Sequence, residues 1–277
     1  MTDKGSQIHN SQRLAVFASY SDESAAQEKG GIFIVGGYTA TIDTWVQFAQ
    51  HWAIHVLAGP PKIPYLHMVE IRRKRWQEKY GLSNRAAEQR VFEATHLIGE
   101  YHRKLFGIIS IIKQDDLNDV VAWLRKRKIS AGVTLMGPDY LCFLAYSAHV
   151  LKVSSRFPDA EKVDFFISRK NKVSDHLQSL YRTPIAKRLP PQMGRLLGEV
   201  LSLEMKDRNP LQAADCYCWH RRRHHEKGAV DDNFVNLSKI KQEIQEWKRD
   251  DLFALADRAH KFFGKPRSTT LARNPSC

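Results

Sequence analysis

The sequence predicts an α/β fold: a mixed sheet flanked by helices, with a helical extension at the C-terminal end. Three observations predict it. Short runs of β-branched and aromatic residues recur along the chain, bounded by polar and Gly-containing connections. Between them lie stretches whose apolar residues repeat every three or four positions, the period of a helix with one buried face. One run, KLFGIISII at 104–112, is apolar almost without a break, as in a strand covered on both faces.

Taken in order, RLAVFASY at 13–20 and GIFIVGGYTA at 31–40 read as an antiparallel strand pair. From Asp43 the period changes: Trp45, Phe48, Ala49, Trp52, Ala53 and Val56 mark one face of a helix that ends near Gly59-Pro60-Pro61. PYLHMVEI at 64–71 resumes a strand-like pattern, and a helix over 84–104 buries Val91, Ala94, Ile98 and Tyr101. The run at 104–112 is the expected central strand. Helices follow at 115–128 and 138–153, then a strand, KVDFFIS, at 162–168. RLLGEVLSLEM at 195–205 supplies the last strand, and NPLQAADCYCWHRRRHH at 209–225 a helix with Asn209 as N-cap and Pro210 at its first position. Beyond residue 226, Ile240, Ile244, Trp247, Leu252, Leu255 and Ala259 form an interrupted helical stripe, able to fold back, cover a sheet edge or join two copies as a homodimer. The expected organisation is a flexible tail at 1–12, one domain at 13–226, a helical extension at 227–263 and a second flexible tail at 264–277.

Composition narrows the function. Lys and Arg outnumber Asp and Glu by 43 to 30 in 277 residues, giving a formal charge of +13 and favouring polyanionic partners such as nucleic acid. An apolar fraction of 43% with 26% charged residues excludes general disorder. The polar start, MTDKGSQIHNSQR, lacks a secretory core, and no run approaches the ~18 apolar residues that span a bilayer, so the expectation is a cytoplasmic protein without membrane contact. Cys142, Cys216, Cys218 and Cys277 make no metal-binding pair of pairs; Cys216 and Cys218, two apart on a predicted helix, face away from each other. No Gly-rich phosphate loop supports an enzyme for small phosphorylated substrates.

Two acidic motifs carry the chemistry. Asp22-Glu23-Ser24 follows the first strand, where such residues are also ordinary in a turn. On the 209–225 helix, Gln212 and Asp215 share a face with Trp219 and Arg222, and an Asp in the early turns of a helix also serves its dipole. Together, DES at 22–24, the FIVGGYTA strand and LQAAD at 211–215 resemble the domain of unknown function 3800 family, over about residues 13–226. HMVEIRRK at 67–74 adds Glu70, placed as in that family shortly before a Lys at the end of the third strand.

The resemblance implies a ribonuclease H-like fold and a divalent-metal-dependent nuclease cutting DNA or RNA, with catalytic residues Asp22, Glu70, Gln212 and Asp215. Asp22, Glu70 and Asp215 would hold Mg²⁺ or Mn²⁺, hard cations that take oxygen ligands. Gln212 would bond a carboxylate or phosphate, with Glu23 a weaker candidate because it points to the opposite side of the strand. Relatives often end the 162–168 strand with two acids, whereas this chain has Ser168-Arg169-Lys170. Asp164 shares that face but lies roughly 13 Å away along the strand; Asp207 is the other replacement. The alternative is a catalytically inactive nucleic-acid-binding or protein-interaction domain on the same scaffold. Three basic runs could track phosphates: Arg72, Arg73, Lys74 and Arg75; RKRK at 125–128; and Arg221, Arg222 and Arg223, with Trp76 and Trp219 beside them to stack on bases.

Overall fold

The computed structural model describes residues 15–25, 31–129, 136–168 and 189–263. Both expected tails, 1–12 and 264–277, lie outside the described residues. Six strands form one mixed sheet: β1 (Ala15–Ala25), β2 (Ile32–Thr41), β3 (Phe106–Lys113), β4 (Ala160–Ser168), β5 (Leu197–Leu203) and β6 (Gln242–Trp247), in the order β5-β4-β1-β2-β3-β6. The pairs β1–β2 and β2–β3 are antiparallel, whereas β4 runs parallel to β1, β5 to β4 and β6 to β3. No described helix is long and apolar enough to cross a membrane.

β2 and β3 are apolar along almost their whole length because helices cover both faces. On one face Ile34, Tyr38 and Ile109 pack with α1 (Ile42–His51), its π-helical continuation Trp52–Leu57, α3 (Asn84–Glu100) and α7 (Asn209–Lys227). On the other, Phe33, Val35 and Ile108 meet α4 (Gln114–Lys126), α5 (Pro138–Ser154) and α9 (Arg249–Phe263). Trp52, Phe48 and Phe165 are fully enclosed, and each such side chain contributes about 1.5–3 kcal/mol through removal of apolar surface from water. α7 lies directly on β1 and β2, and Gly36 makes the approach possible: a Cβ there would stand 3.1 Å from the Cys218 sulfur and 3.2 Å from Ile109. The remaining helices are short: α2 (Lys74–Lys79), α6 (Pro191–Gly194) and α8 (Asp232–Ser238).

Four local expectations are corrected. β1 does not stop at residue 20 but runs to Ala25, so Asp22, Glu23 and Ser24 sit within the ladder, opposite Gly36, Val35 and Ile34, instead of in a turn. PYLHMVEI forms no strand; its Leu66 and Met68 amides are bonded by side chains and its Ile71 amide by the His67 carbonyl, a turn instead of a ladder. Asn209 is the first helical residue of α7, not its cap, and donates from Nδ2 to the Ala49 carbonyl at 2.9 Å. The C-terminal extension is helix, strand and helix: the Ile240, Ile244 and Trp247 spacing fits a helical face, yet β3 offers an edge and Gln242–Trp247 pairs with it in parallel, tertiary pairing overriding the local period. α9 packs on α4 within the chain through Trp123 with Phe253 and an Arg249–Asp119 ion pair at 3.0 Å.

Candidate functional site

α7 presents its polar residues to the loop that replaces the expected 64–71 strand. Gln212, fully buried, accepts hydrogen bonds at Oε1 from the Trp52 indole at 3.0 Å and the Leu66 amide at 2.9 Å. Its Nε2 points to the Lys206 carbonyl, at 3.4 Å. One turn on, Asp215 Oδ2 accepts from the Met68 amide at 2.7 Å. One turn further, the Arg72 guanidinium lies 4.1 Å from the centre of the Trp219 ring. A single helical stripe therefore holds residues 66, 68 and 72 in succession, satisfying main-chain groups that would otherwise be buried unpaired.

Asp22 projects from β1 toward the same side of the sheet, since it shares parity with Ala18 and Tyr20, which pack into that core. Cys218, one turn beyond Asp215, donates from sulfur to the Asp22 carbonyl at 3.2 Å. The helix thus crosses β1 at Asp22 with Asp215 one turn away, and the two acids are 2% and 7% exposed, a degree of burial that charged groups adopt only with compensation. Ser168 comes next after the Ser21–Ile167 pair, which sets it beside Asp22 on β4. Asp164 is bound elsewhere, accepting from the Glu199 amide at 2.9 Å and pairing with Lys162 at 3.1 Å, and Asp207 is exposed in the 3₁₀ turn before α7.

Glu70 belongs to a separate group. Tyr65 Oη donates to its Oε2 at 2.5 Å, His67 Nδ1 stands 3.8 Å from the same oxygen, and Lys206 Nζ lies 4.8 Å from the centre of the Tyr65 ring. Hydrogen bonding to Tyr65, then the Glu70 charge, raise the Lys206 ammonium above its ordinary value. Among the described residues no three His, Cys, Asp or Glu side chains gather as a metal cluster. The set Asp22, Glu70 and Asp215 therefore does not fit a three-carboxylate cage for Mg²⁺ or Mn²⁺, and Gln212 has its amide occupied by the fold.

The basic runs divide in the same way. Arg221 is buried and bonded to Gln242, Arg222 pairs with Glu226 at 3.5 Å, and Arg223 with Asp231 at 3.6 Å. Arg127 of the 125–128 run stacks on Trp123 at 3.9 Å. Arg73, Lys74 and Arg75 are exposed at the start of α2. Neither tryptophan is open to a base: Trp76 is buried against Tyr65 and Tyr80, and Trp219 is covered by Arg72 on one side and by Arg223 at 4.6 Å. The sequence gives no local signal for the residues that join Arg72 in a cleft, Arg85 on α3 and Asp232 and Asn233 on α8, because they come together only through tertiary packing. No family model, curated protein or solved structure matches the chain.

Proposed function

We propose that the chain is a nuclease-derived scaffold of the ribonuclease H-like kind that binds nucleic acid. Three features support the scaffold: an antiparallel run of the first three strands, a fourth and fifth strand parallel to the first, and a late helix laid across the first strand with an acid on each. The observation that carries the binding is the exposed run Arg73, Lys74 and Arg75, held in place because α7 clamps the loop before it. Together with a net charge of +13, it offers a sequence-independent grip on phosphates. The test is fluorescence anisotropy of labelled single- and double-stranded DNA and RNA across a salt series. Replacing Arg73, Lys74 and Arg75 together by Gln should reduce the duplex salt slope by about 3, one for each lost phosphate contact. Absence of binding at low salt, or an unchanged slope, overturns the reading.

A second reading, metal-dependent hydrolysis of DNA or RNA, is favoured by one observation: Asp22 and Asp215 are buried on one side of the sheet where α7 crosses β1. Incubating the same substrates with Mg²⁺, Mn²⁺ or chelator separates the two. Cleavage that needs metal and disappears in Asp22→Asn establishes the nuclease; binding without cleavage establishes the inactive scaffold.

A further inference from the structure

On the outer side of α7, beyond the loop clamp, α3, α7 and α8 enclose a cleft of about 510 Å³, within the range of small-molecule sites. A smaller cavity of about 160 Å³ adjoins it through Arg72 and Glu88. Three guanidinium groups line the cleft: Arg72, Arg85 and Arg223. Only Arg223 has a counter-ion, Asp231 at 3.6 Å; Arg72 and Arg85 form no ion pair among the described residues. Arg72 and Arg223 both lie against the Trp219 indole, and partial burial, and then the Arg223 charge, lower the Arg72 guanidinium from its ordinary value.

The lining is not simply basic. Glu88 and Asp232 add carboxylates, Phe92 leaves its ring 38% exposed, and Asn233 offers an amide. Asn233 Oδ1 already accepts from the Thr95 hydroxyl at 2.8 Å, which leaves its Nδ2 hydrogens as donors toward the cleft. Such a mixture disfavours a bare anion, which the acids repel, and a cation, which the guanidiniums repel. It matches a ligand with an anionic end, hydroxyl or amino donors for the carboxylates, and a flat apolar part. Arg85 and Phe92, seven residues apart on α3, share a helical face and stand about 10 Å apart along its axis. That separation is close to the length of one nucleotide.

We propose that this cleft binds a nucleoside monophosphate unit, its phosphate toward Arg72 and Arg85 and its sugar and base toward Asp232, Asn233 and Phe92. The unit has two possible sources, a free mononucleotide or the phosphorylated end of a strand. The strand-end source rests on the nucleic-acid reading above; the free-nucleotide source does not.

The experiment is calorimetric titration of the full chain and of Arg85→Gln, whose exposed side chain makes no contact that the fold needs. The probes are the four common nucleoside monophosphates, their four nucleosides, and short oligonucleotides with a 5′-phosphate, a 3′-phosphate or neither. A free-nucleotide site binds at least one monophosphate about tenfold tighter than its own nucleoside, and Arg85→Gln weakens that binding about tenfold, the loss expected for one charged hydrogen bond. A strand-end site instead prefers a phosphorylated oligonucleotide about tenfold over the unphosphorylated one, a preference that Arg85→Gln removes. Indifference to the phosphate, or equal affinities for wild type and Arg85→Gln, overturns the proposal. Oligonucleotide binding that ignores Arg85→Gln, with no monophosphate binding, sinks the cleft and spares the Arg73–Arg75 surface; Arg85-dependent monophosphate binding without oligonucleotide binding does the reverse.

Discussion

The two halves of α7 use polar side chains in opposite ways. In the first half, Gln212 and Asp215 are buried and committed to main-chain amides of one loop. In the second, Trp219 is a buried platform beneath Arg72 and Arg223, two guanidiniums that line an open cleft, where Arg72 keeps a charge without an ion pair among the described residues. The difference teaches that a motif-like cluster of polar residues can owe its spacing to architecture, while capacity for a ligand collects where charges are left unbalanced.

The largest expected effect tests the first half. Gln212→Leu leaves the Trp52 indole and the Leu66 amide buried without an acceptor, a loss of about 3 kcal/mol, measurable as a lower urea midpoint with faster hydrogen exchange at Leu66. A change below about 0.5 kcal/mol would break the contrast at its base.

Asp215→Ala orphans one amide, that of Met68, for about 1–2 kcal/mol, and Asp215→Asn recovers most of it because an amide oxygen still accepts. The same proteins measured with Mn²⁺ sharpen the point. An inactive scaffold melts at the same temperature with or without the ion, whereas a metal site raises the melting temperature of wild type and not of Asp215→Ala.

A third test uses acid. His220, on the second half, is buried beside Asp231, Arg72 and Arg223, and burial pushes its imidazole well below the ordinary value of 6.5. A group depressed in the folded state binds its proton more readily when unfolded, so the stability it permits is complete above pH 6.5 and is lost as pH falls below that value. His220→Gln should flatten the dependence of melting temperature on pH in this window, and an unchanged slope would show that His220 takes up its proton equally in the folded and unfolded states. The smallest effect is that of Arg85→Gln, within about 0.5 kcal/mol of wild type in urea unfolding, because no described contact depends on the side chain.

The fold was legible wherever periodicity and burial coincide. β2 and β3 declare themselves because two covered faces demand unbroken apolar runs, and α5 because its stripe fills one side of the sheet. PYLHMVEI misleads for a physical reason: its apolar residues are buried, but the groups that satisfy its amides come from a helix nearly 150 residues away. Glu70 inherits that error, since a strand end would have aimed it at Asp22, whereas the loop turns it toward Tyr65 and His67. Of the candidate site, the common side of Asp22 and the Asp215 turn follows from strand parity and helix order. The cleft does not, because positions 72, 85, 223 and 233 share no local pattern.

β6 adds a constraint that acts while the chain is being made. It begins 129 residues after β3 ends, at 242 against 113. At ordinary translation rates the ribosome needs roughly 6 to 26 seconds to make that stretch. Throughout that interval β3, with Ile109 and Ile111 destined for full burial, has a free edge able to pair with another nascent chain. The 242–247 segment thus acts as a late seal, and a ribosome that stalls before residue 242 leaves the β3 edge open to pairing with another chain.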